Sequence, residues 1–293
     1  MKIIIDFLRL IRLSNLLMVA LTQFFALYFL NKYTYFFELL SGDLILLVLS
    51  TVLSAAAGYI INDYMDVKLD LINKPHRVII GNTISRRWAM LLHFILNLLA
   101  VSFAYLVNLK VFVLVFFSTI ILWLYSQFLK KTYLAGNIMV ALLTALTLII
   151  LLFYDESISK AGIFTYSIFA FFTTLFREII KDTEDMKGDE KFKASTYPIV
   201  KGVRKTKNLL IALQIIILIL VFTFTSLFGA LSMAKPKTSF LFIIYSLFLV
   251  CVPMVINLWL LKTADVKSDF SRLSFLSKIN MLTGIFSMVF WKY

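Results

Sequence analysis

Nine long apolar runs alternate with short polar stretches along the chain, at residues 14–30, 43–62, 88–107, 111–128, 135–154, 161–180, 208–230, 239–261 and 274–291. Each comes close to the roughly 20 mostly apolar residues that an α-helix needs to cross a bilayer, where every backbone polar group must be satisfied inside the segment. The pattern predicts an all-α, polytopic membrane protein of about nine transmembrane helices. Little chain remains outside the runs and no Pro/Gly/Ser-rich linker divides it, so residues 1–293 are expected to form one transmembrane domain. The first run lacks a small-residue cleavage pattern after it, and no cleaved signal peptide is expected.

Composition agrees with this reading, since 61% of residues are hydrophobic and 15% are charged. The net charge of +13 would by itself suggest nucleic acid, but in a membrane protein the placement of Lys and Arg carries more information than their sum. With the N-terminus inside, 23 of the 29 Lys and Arg residues fall in cytoplasmic segments. The remaining six, Lys32, Lys110, Lys160, Lys235, Lys237 and Lys292, fall outside. This asymmetry predicts an N-in, C-out multi-pass protein of the cell inner membrane and leaves nucleic-acid binding without a role. The single Cys251 lies in an apolar run, as does His93, and neither has a second His or Cys at metal-ligand spacing.

The acids are concentrated: nine of the 16 lie in segments 62–70 and 177–190, each following an apolar run that ends on the predicted cytoplasmic side. Asp63 and Asp182, Asp66 and Asp185, and Asp70 and Asp189 are each separated by 119 residues, and Lys68 and Lys187 by the same offset. The pattern Asp-x-x-Asp-x-x-x-Asp therefore occurs twice. Repeats in membrane proteins build two similar halves facing a shared site.

On a helix, positions i, i+3 and i+7 project from one face. Three carboxylates there repel one another unless cations neutralise them. Two such faces opposed across a cavity suit magnesium, which binds one or two carboxylates and takes further oxygens from substrate phosphates. Asp63, Asp66, Asp70, Asp182, Asp185 and Asp189 are the candidate ligands. Asn62 fits as a neutral oxygen ligand or a donor to phosphate, and Lys181 takes the equivalent place in the second motif.

A carboxylate-rich site in a basic cytoplasmic face points to a polyanion held through metal bridges, with Arg12, Lys130, Lys131 and Arg177 available for phosphate contacts. A position at the membrane boundary favours a lipid-tailed diphosphate, and no Gly-rich nucleotide loop is present. The 29 Phe, 13 Tyr and 4 Trp suit either of two roles. They line the cavity and stabilise a carbocation, or they simply face lipid and the interfaces.

These motifs resemble the intramembrane prenyltransferases of the UbiA superfamily, and the resemblance in helix number and charge layout covers nearly the whole chain. The family implies nine transmembrane helices around a central cavity, magnesium, a prenyl diphosphate donor, and both motifs in loops after helices two and six. Arg12-Leu13-Ser14-Asn15 is similar to the family's Arg-x-x-Asn at the first helix, and Tyr125-Ser126-Gln127-Phe128-Leu129-Lys130 to its tyrosine-then-lysine element, followed by Gly136-Asn137. The resemblance implies metal or diphosphate ligands at Asn62, Asp66, Asp70, Asp185 and Asp189, with Asp66, Asp70, Asp185 and Asp189 as catalytic residues. It implies substrate contacts at Arg12, Asn15, Tyr125, Lys130 and Arg177.

Segments 177–189 and 70–77 most resemble the branch that transfers a geranylgeranyl group to geranylgeranylglyceryl phosphate, although Val78 stands where that branch has Pro. Arg77 and the basic stretch 191–207 are candidates for an acceptor phosphate. The expected reaction is thus magnesium-dependent geranylgeranyl transfer to a lipid acceptor. An aromatic quinone precursor is the alternative acceptor, and a divalent-cation transporter the alternative class. A phospholipid head-group transferase is disfavoured because its Asp-Gly-x-x-Ala-Arg signature is absent.

Overall fold

A computed structural model describes residues 2–31, 41–231 and 236–292, so Lys32 and Lys235 of the charge count lie outside the described residues. The chain folds into α1 (Lys2–Leu10), α2 (Leu13–Phe29), α3 (Gly42–Asn73), α4 (Arg86–Val107), α5 (Leu109–Gln127), α6 (Ala135–Ile149), α7 (Lys160–Lys191), α8 (Tyr197–Leu231), α9 (Pro236–Tyr245), α10 (Val252–Thr263), α11 (Lys267–Phe286) and α12 (Val289–Lys292). Eight helical segments are long and apolar enough to cross a membrane, and the 17-residue α2 is a shorter apolar one. The apolar pattern therefore located all nine of these segments.

The helices differ from the expected spans in several places, and α8 and α11 begin at Tyr197 and Lys267, ahead of the expected 208 and 274. Both aspartate motifs lie within helices, not in loops after them, because α3 and α7 each run for 32 residues. At 1.5 Å per residue such a helix is roughly 48 Å long, well beyond a bilayer core of about 30 Å, so its last turns carry polar residues past the apolar zone. Pro75 stops α3 by forcing Lys74 out of helical geometry, at φ −146° and ψ 58°. A short amphipathic α1, unseen in the search for long runs, precedes the bundle with Asp6 and Leu10 buried. Finally, α9 and α10 form one rod joined by a π-helical stretch at Ser246–Cys251. Pro253 accounts for the widening, since it lacks the N–H that a regular α-turn requires there.

The bundle is organised around the two long helices. α3 packs along α4 and α5, while α7 packs along α6, α8 and α11, and α2 touches α3, α6 and α11. Small residues permit the close α3–α4 contact: Ala57, Ala100 and Ala104 are completely buried. His93 belongs to this packing, with Nδ1 3.0 Å from the Ala57 carbonyl oxygen. Leu10, Ile11, Ile80 and Ile84 join Ala56 and Ile60 in a core that fastens α1 and the connection after α3 to the bundle. Outward-facing side chains such as Phe94, Leu98, Phe117, Phe222 and Trp259 are exposed, as expected of a surface that meets lipid.

Candidate active site

One cavity of about 1450 Å³ opens at the end of the bundle that carries both motifs. Its walls come from α1, α2, α3, α5, α6 and α7 and from the connections after α3, α5, α6 and α7, while α4 and α8–α12 support it from outside. Every residue named singly as a metal or substrate contact lines it, whereas the Lys and Arg side chains of the basic stretch 191–207 do not. Asn62, Asp63, Asp66 and Asp70 come from α3, and Arg177, Lys181, Asp182, Asp185 and Asp189 from α7. Arg12 and Asn15 come from the start of α2, Arg77 from beyond α3, Tyr125 from α5, and Lys130 from the turn after α5.

Arg12 adopts a left-handed backbone, φ 51° and ψ 54°, at the corner between α1 and α2. For a residue other than glycine this costs roughly 1–2 kcal/mol. The corner aims the guanidinium at Asp63, Nη2 to Oδ1 2.8 Å, and lays it over the Tyr59 ring at 4.8 Å. Burial, the largest single influence, would lower its pKa, but the charge and hydrogen bond of Asp63 together with Tyr59 and Glu178 outweigh it and hold Arg12 more firmly protonated than usual. Asn15 donates to the Tyr59 hydroxyl at 3.3 Å and accepts from Lys278 at 2.9 Å.

The remaining carboxylates divide into paired and open groups. Lys130 forms an ion pair with Asp66, and Lys74 one with Asp185 Oδ2 at 2.5 Å. Asn137 donates to Asp182 at 2.8 Å. Gly136 lets α6 approach the Lys130 turn, because a Cβ there would lie 2.6 Å from the Leu129 carbonyl oxygen. Asp70 and Asp189 have no ion pair or side-chain hydrogen bond among the described residues. Among the described residues Asn62 Oδ1 and Asp185 Oδ1 are buried acceptors without a hydrogen-bond donor, with Lys267 Nζ standing 4.0 Å from Asp185 Oδ1. Among the described residues no three carboxylates or imidazoles converge as a ready-made metal cluster. The spare acceptors are nevertheless all hard oxygens, the donor set that suits a hard divalent cation.

Several contacts were not anticipated. Glu178 accepts from Lys181 at 2.8 Å and from Arg177 at 3.4 Å, so both candidate phosphate binders on α7 rest on one carboxylate. Asn73 Nδ2 donates to the Asp185 carbonyl oxygen, and Asn73 Oδ1 accepts from the Gly188 N–H, each at 3.0 Å. A Cβ on Gly188 would lie 2.4 Å from that amide, so glycine is required for the clamp. The Asn73-Lys74-Pro75 sequence reads as a turn, and nothing in it signals a partner 112 to 115 residues away.

Deeper in, the cavity is lined by Val19, Val115, Leu122, Val140, Leu143, Leu146 and Ile150, with the hydroxyls of Thr51, Ser54, Ser118, Thr144 and Thr147, and by no ionisable group. Among the described residues Tyr59 and Tyr125 are the Tyr side chains that line it, and no Phe or Trp does. The abundant aromatics therefore do not form the cavity wall. They face outward or pack elsewhere, as Phe224 does against Trp291 and Phe242.

A profile of the UbiA prenyltransferase family matches residues 16–279. The chain belongs to the UbiA prenyltransferase family. A digeranylgeranylglyceryl phosphate synthase from Methanosphaera stadtmanae is 35% identical over 188 residues, 64% of this chain and 66% of that relative, so the alignment spans just under two thirds of its length. The structure reported for digeranylgeranylglyceryl phosphate synthase in membranes shares the UbiA fold, with a TM-score of 0.67 at 22% identity over 99% of both chains. A UbiA homologue from Archaeoglobus fulgidus bound to GPP and Mg2+ has a TM-score of 0.58 at 19% identity, covering 97% of this chain and 99% of its own.

Proposed function

We propose that this UbiA-family chain transfers a geranylgeranyl group from its diphosphate to geranylgeranylglyceryl phosphate, with Mg2+, to form an ether lipid. The observation that carries the reading is a single cavity with two aspartate motifs and their attendant cations at its mouth and an apolar, uncharged interior. That combination suits a substrate with a diphosphate head and a long hydrocarbon tail. The choice of acceptor rests on the name of the 35% identical relative, and the choice of ion on the bound Mg2+ of the homologue together with the open oxygens described above.

Asn62, Asp70, Asp185 and Asp189 would hold Mg2+, with Asp63, Asp66 and Asp182 completing the set of oxygens. Bound magnesium supplies neutralisation of the charge that develops on departing diphosphate. Arg12, Lys130, Arg177 and Lys181 orient the diphosphate oxygens, and Tyr125 and Asn15 border the same space. In the reaction the allylic C–O bond breaks and its electron pair leaves with diphosphate. An acceptor hydroxyl oxygen forms the new ether bond and releases its proton. The apolar interior keeps water from the electrophilic carbon. We place the motif end at the cytoplasmic face, on the strength of the positive-inside count.

Purified protein incubated with labelled geranylgeranyl diphosphate, Mg2+ and each acceptor tests the proposal. A labelled ether lipid is expected, and its formation should cease with EDTA. Product from an aromatic acceptor alone would overturn the choice of acceptor. Divalent-cation flux in vesicles without any prenyl transfer would favour a transporter instead.

A further inference from the structure

Away from the aspartate helices, Lys2, Arg9, His76 and Arg77 also line the cavity, from α1 and the connection after α3. Most cations nearer the motifs are engaged: Arg12, Lys74, Lys130, Arg177 and Lys181 each contact a carboxylate, while Lys131, on the same turn as Lys130, does not among the described residues. By contrast, Lys2, His76 and Arg77 have no ion pair or side-chain hydrogen bond among the described residues, and Arg9 reaches only Asp6, at 3.6 Å. The scaffold beneath them is fixed. Buried Asp6 accepts from the Thr83 hydroxyl at 2.8 Å, which ties α1 to the connection, and Leu10, Ile11, Ile80 and Ile84 pack below. Beside the cations, α1 exposes Ile3 and Ile4.

Resting on the reaction proposed above, we infer that Arg9 and Arg77, supported by Lys2 and His76, form a second anion subsite that takes the phosphate monoester of the acceptor. Guanidinium groups suit this task because their planar forks bind phosphate oxygens in pairs. A separate subsite also has an electrostatic purpose. Donor diphosphate and acceptor phosphate repel each other, so one cavity must anchor them on different cations while the acceptor hydroxyl approaches the reacting carbon. The exposed apolar side chains of α1 give the acceptor tail a path toward lipid. The basic stretch 191–207 does not compete for this role, because none of its Lys or Arg side chains lines the cavity. Lys207, for example, is bound to the Lys262 and Ala264 carbonyls and to Asp265.

Steady-state kinetics of Arg77→Gln and Arg9→Gln in neutral detergent, where no other lipid phosphate competes, test the subsite. Each variant should raise the acceptor KM about tenfold, the scale of a lost charge-assisted hydrogen bond at an accessible site, while the donor KM and kcat stay near wild type. The glycerol lipid lacking phosphate should be used equally by variants and wild type, and Arg77→Lys should recover part of the loss. An unchanged acceptor KM, an equal loss with the phosphate-free lipid, or a rise in donor KM instead would overturn the subsite while wild-type product still upholds the reaction. No glyceryl-phosphate product from wild type would overturn both.

Discussion

In the first motif Asp63 faces the Arg12 guanidinium at 2.8 Å, whereas its counterpart Asp182 accepts from the neutral Asn137 amide at the same distance. The middle aspartates also differ. Asp66 pairs with Lys130 from the α5–α6 turn, while Asp185 pairs with Lys74, which directly follows the first motif's own helix. Asn73, the last residue of that helix, grips the backbone of the second motif at Asp185 and Gly188. Asn62 leaves a buried oxygen open, and its counterpart Lys181 is held by Glu178. The repeat thus preserves where the carboxylates project but not what faces them. The first motif is oriented by outside elements, and the second largely by the end of the first.

The largest effects should come from the positions the repeat makes equivalent. Asp66→Ala and Asp185→Ala should each reduce Mg2+-dependent prenyl transfer by about a thousandfold or more, the range of losing a main electrostatic stabiliser. Retained turnover in one of them, measured with labelled donor, would show that the halves do not share the metal. The lysine partners should separate next. Lys130 and Asp66 are only 11% and 15% exposed, against 25% and 22% for Lys74 and Asp185. Lys130→Met should therefore cost about a hundredfold in kcat/KM and Lys74→Met about tenfold, since stranding a more buried carboxylate is costlier. Thermal unfolding without metal should rank them in the same order, and added Mg2+ should narrow the gap.

The clamp yields a sharper test through a double-mutant cycle. Gly188→Ala should lower turnover about tenfold, because the added Cβ collides with the Asn73 amide. Asn73→Ala alone should lower it less and raise the Mg2+ concentration needed. Adding Asn73→Ala to Gly188→Ala should restore activity relative to Gly188→Ala alone; additive losses would refute the clamp. The smallest effect is expected at Asn137→Ala, about threefold in kcat/KM, because a neutral hydrogen bond contributes only about 1 kcal/mol. A loss as large as that of Arg12→Ala would mean that the two outer aspartates depend equally on their partners.

Much of this was legible in the chain. The apolar runs located nine helical segments within a few residues at most ends, and the 119-residue offset identified both motifs and the helices that carry them. The motifs sat beyond the apolar runs and so read as loops, because hydropathy reports where a helix meets lipid and not where its hydrogen-bonding ends. Helix α1 escaped notice for the same reason, being too short and too polar for a span. Aromatic abundance could not distinguish cavity wall from lipid face, since both are apolar surroundings.

By itself the sequence determined the membrane class, the number of apolar helices, the duplicated carboxylates and the residues that gather at one site. Periodicity and spacing are local properties and yield the first three, while Asn15, Arg77 and Tyr125 joined the site list through the resemblance to the UbiA family. Only the tertiary structure decided which cation meets which aspartate, that Asn73 clasps Gly188, that Glu178 holds two basic residues, and that Arg77 lines the cavity while the Lys and Arg side chains of 191–207 do not. Those contacts join residues far apart in the chain. They depend on helix rotation, the left-handed corner at Arg12 and the close approach at Gly136, none of which leaves a periodic signal along the sequence.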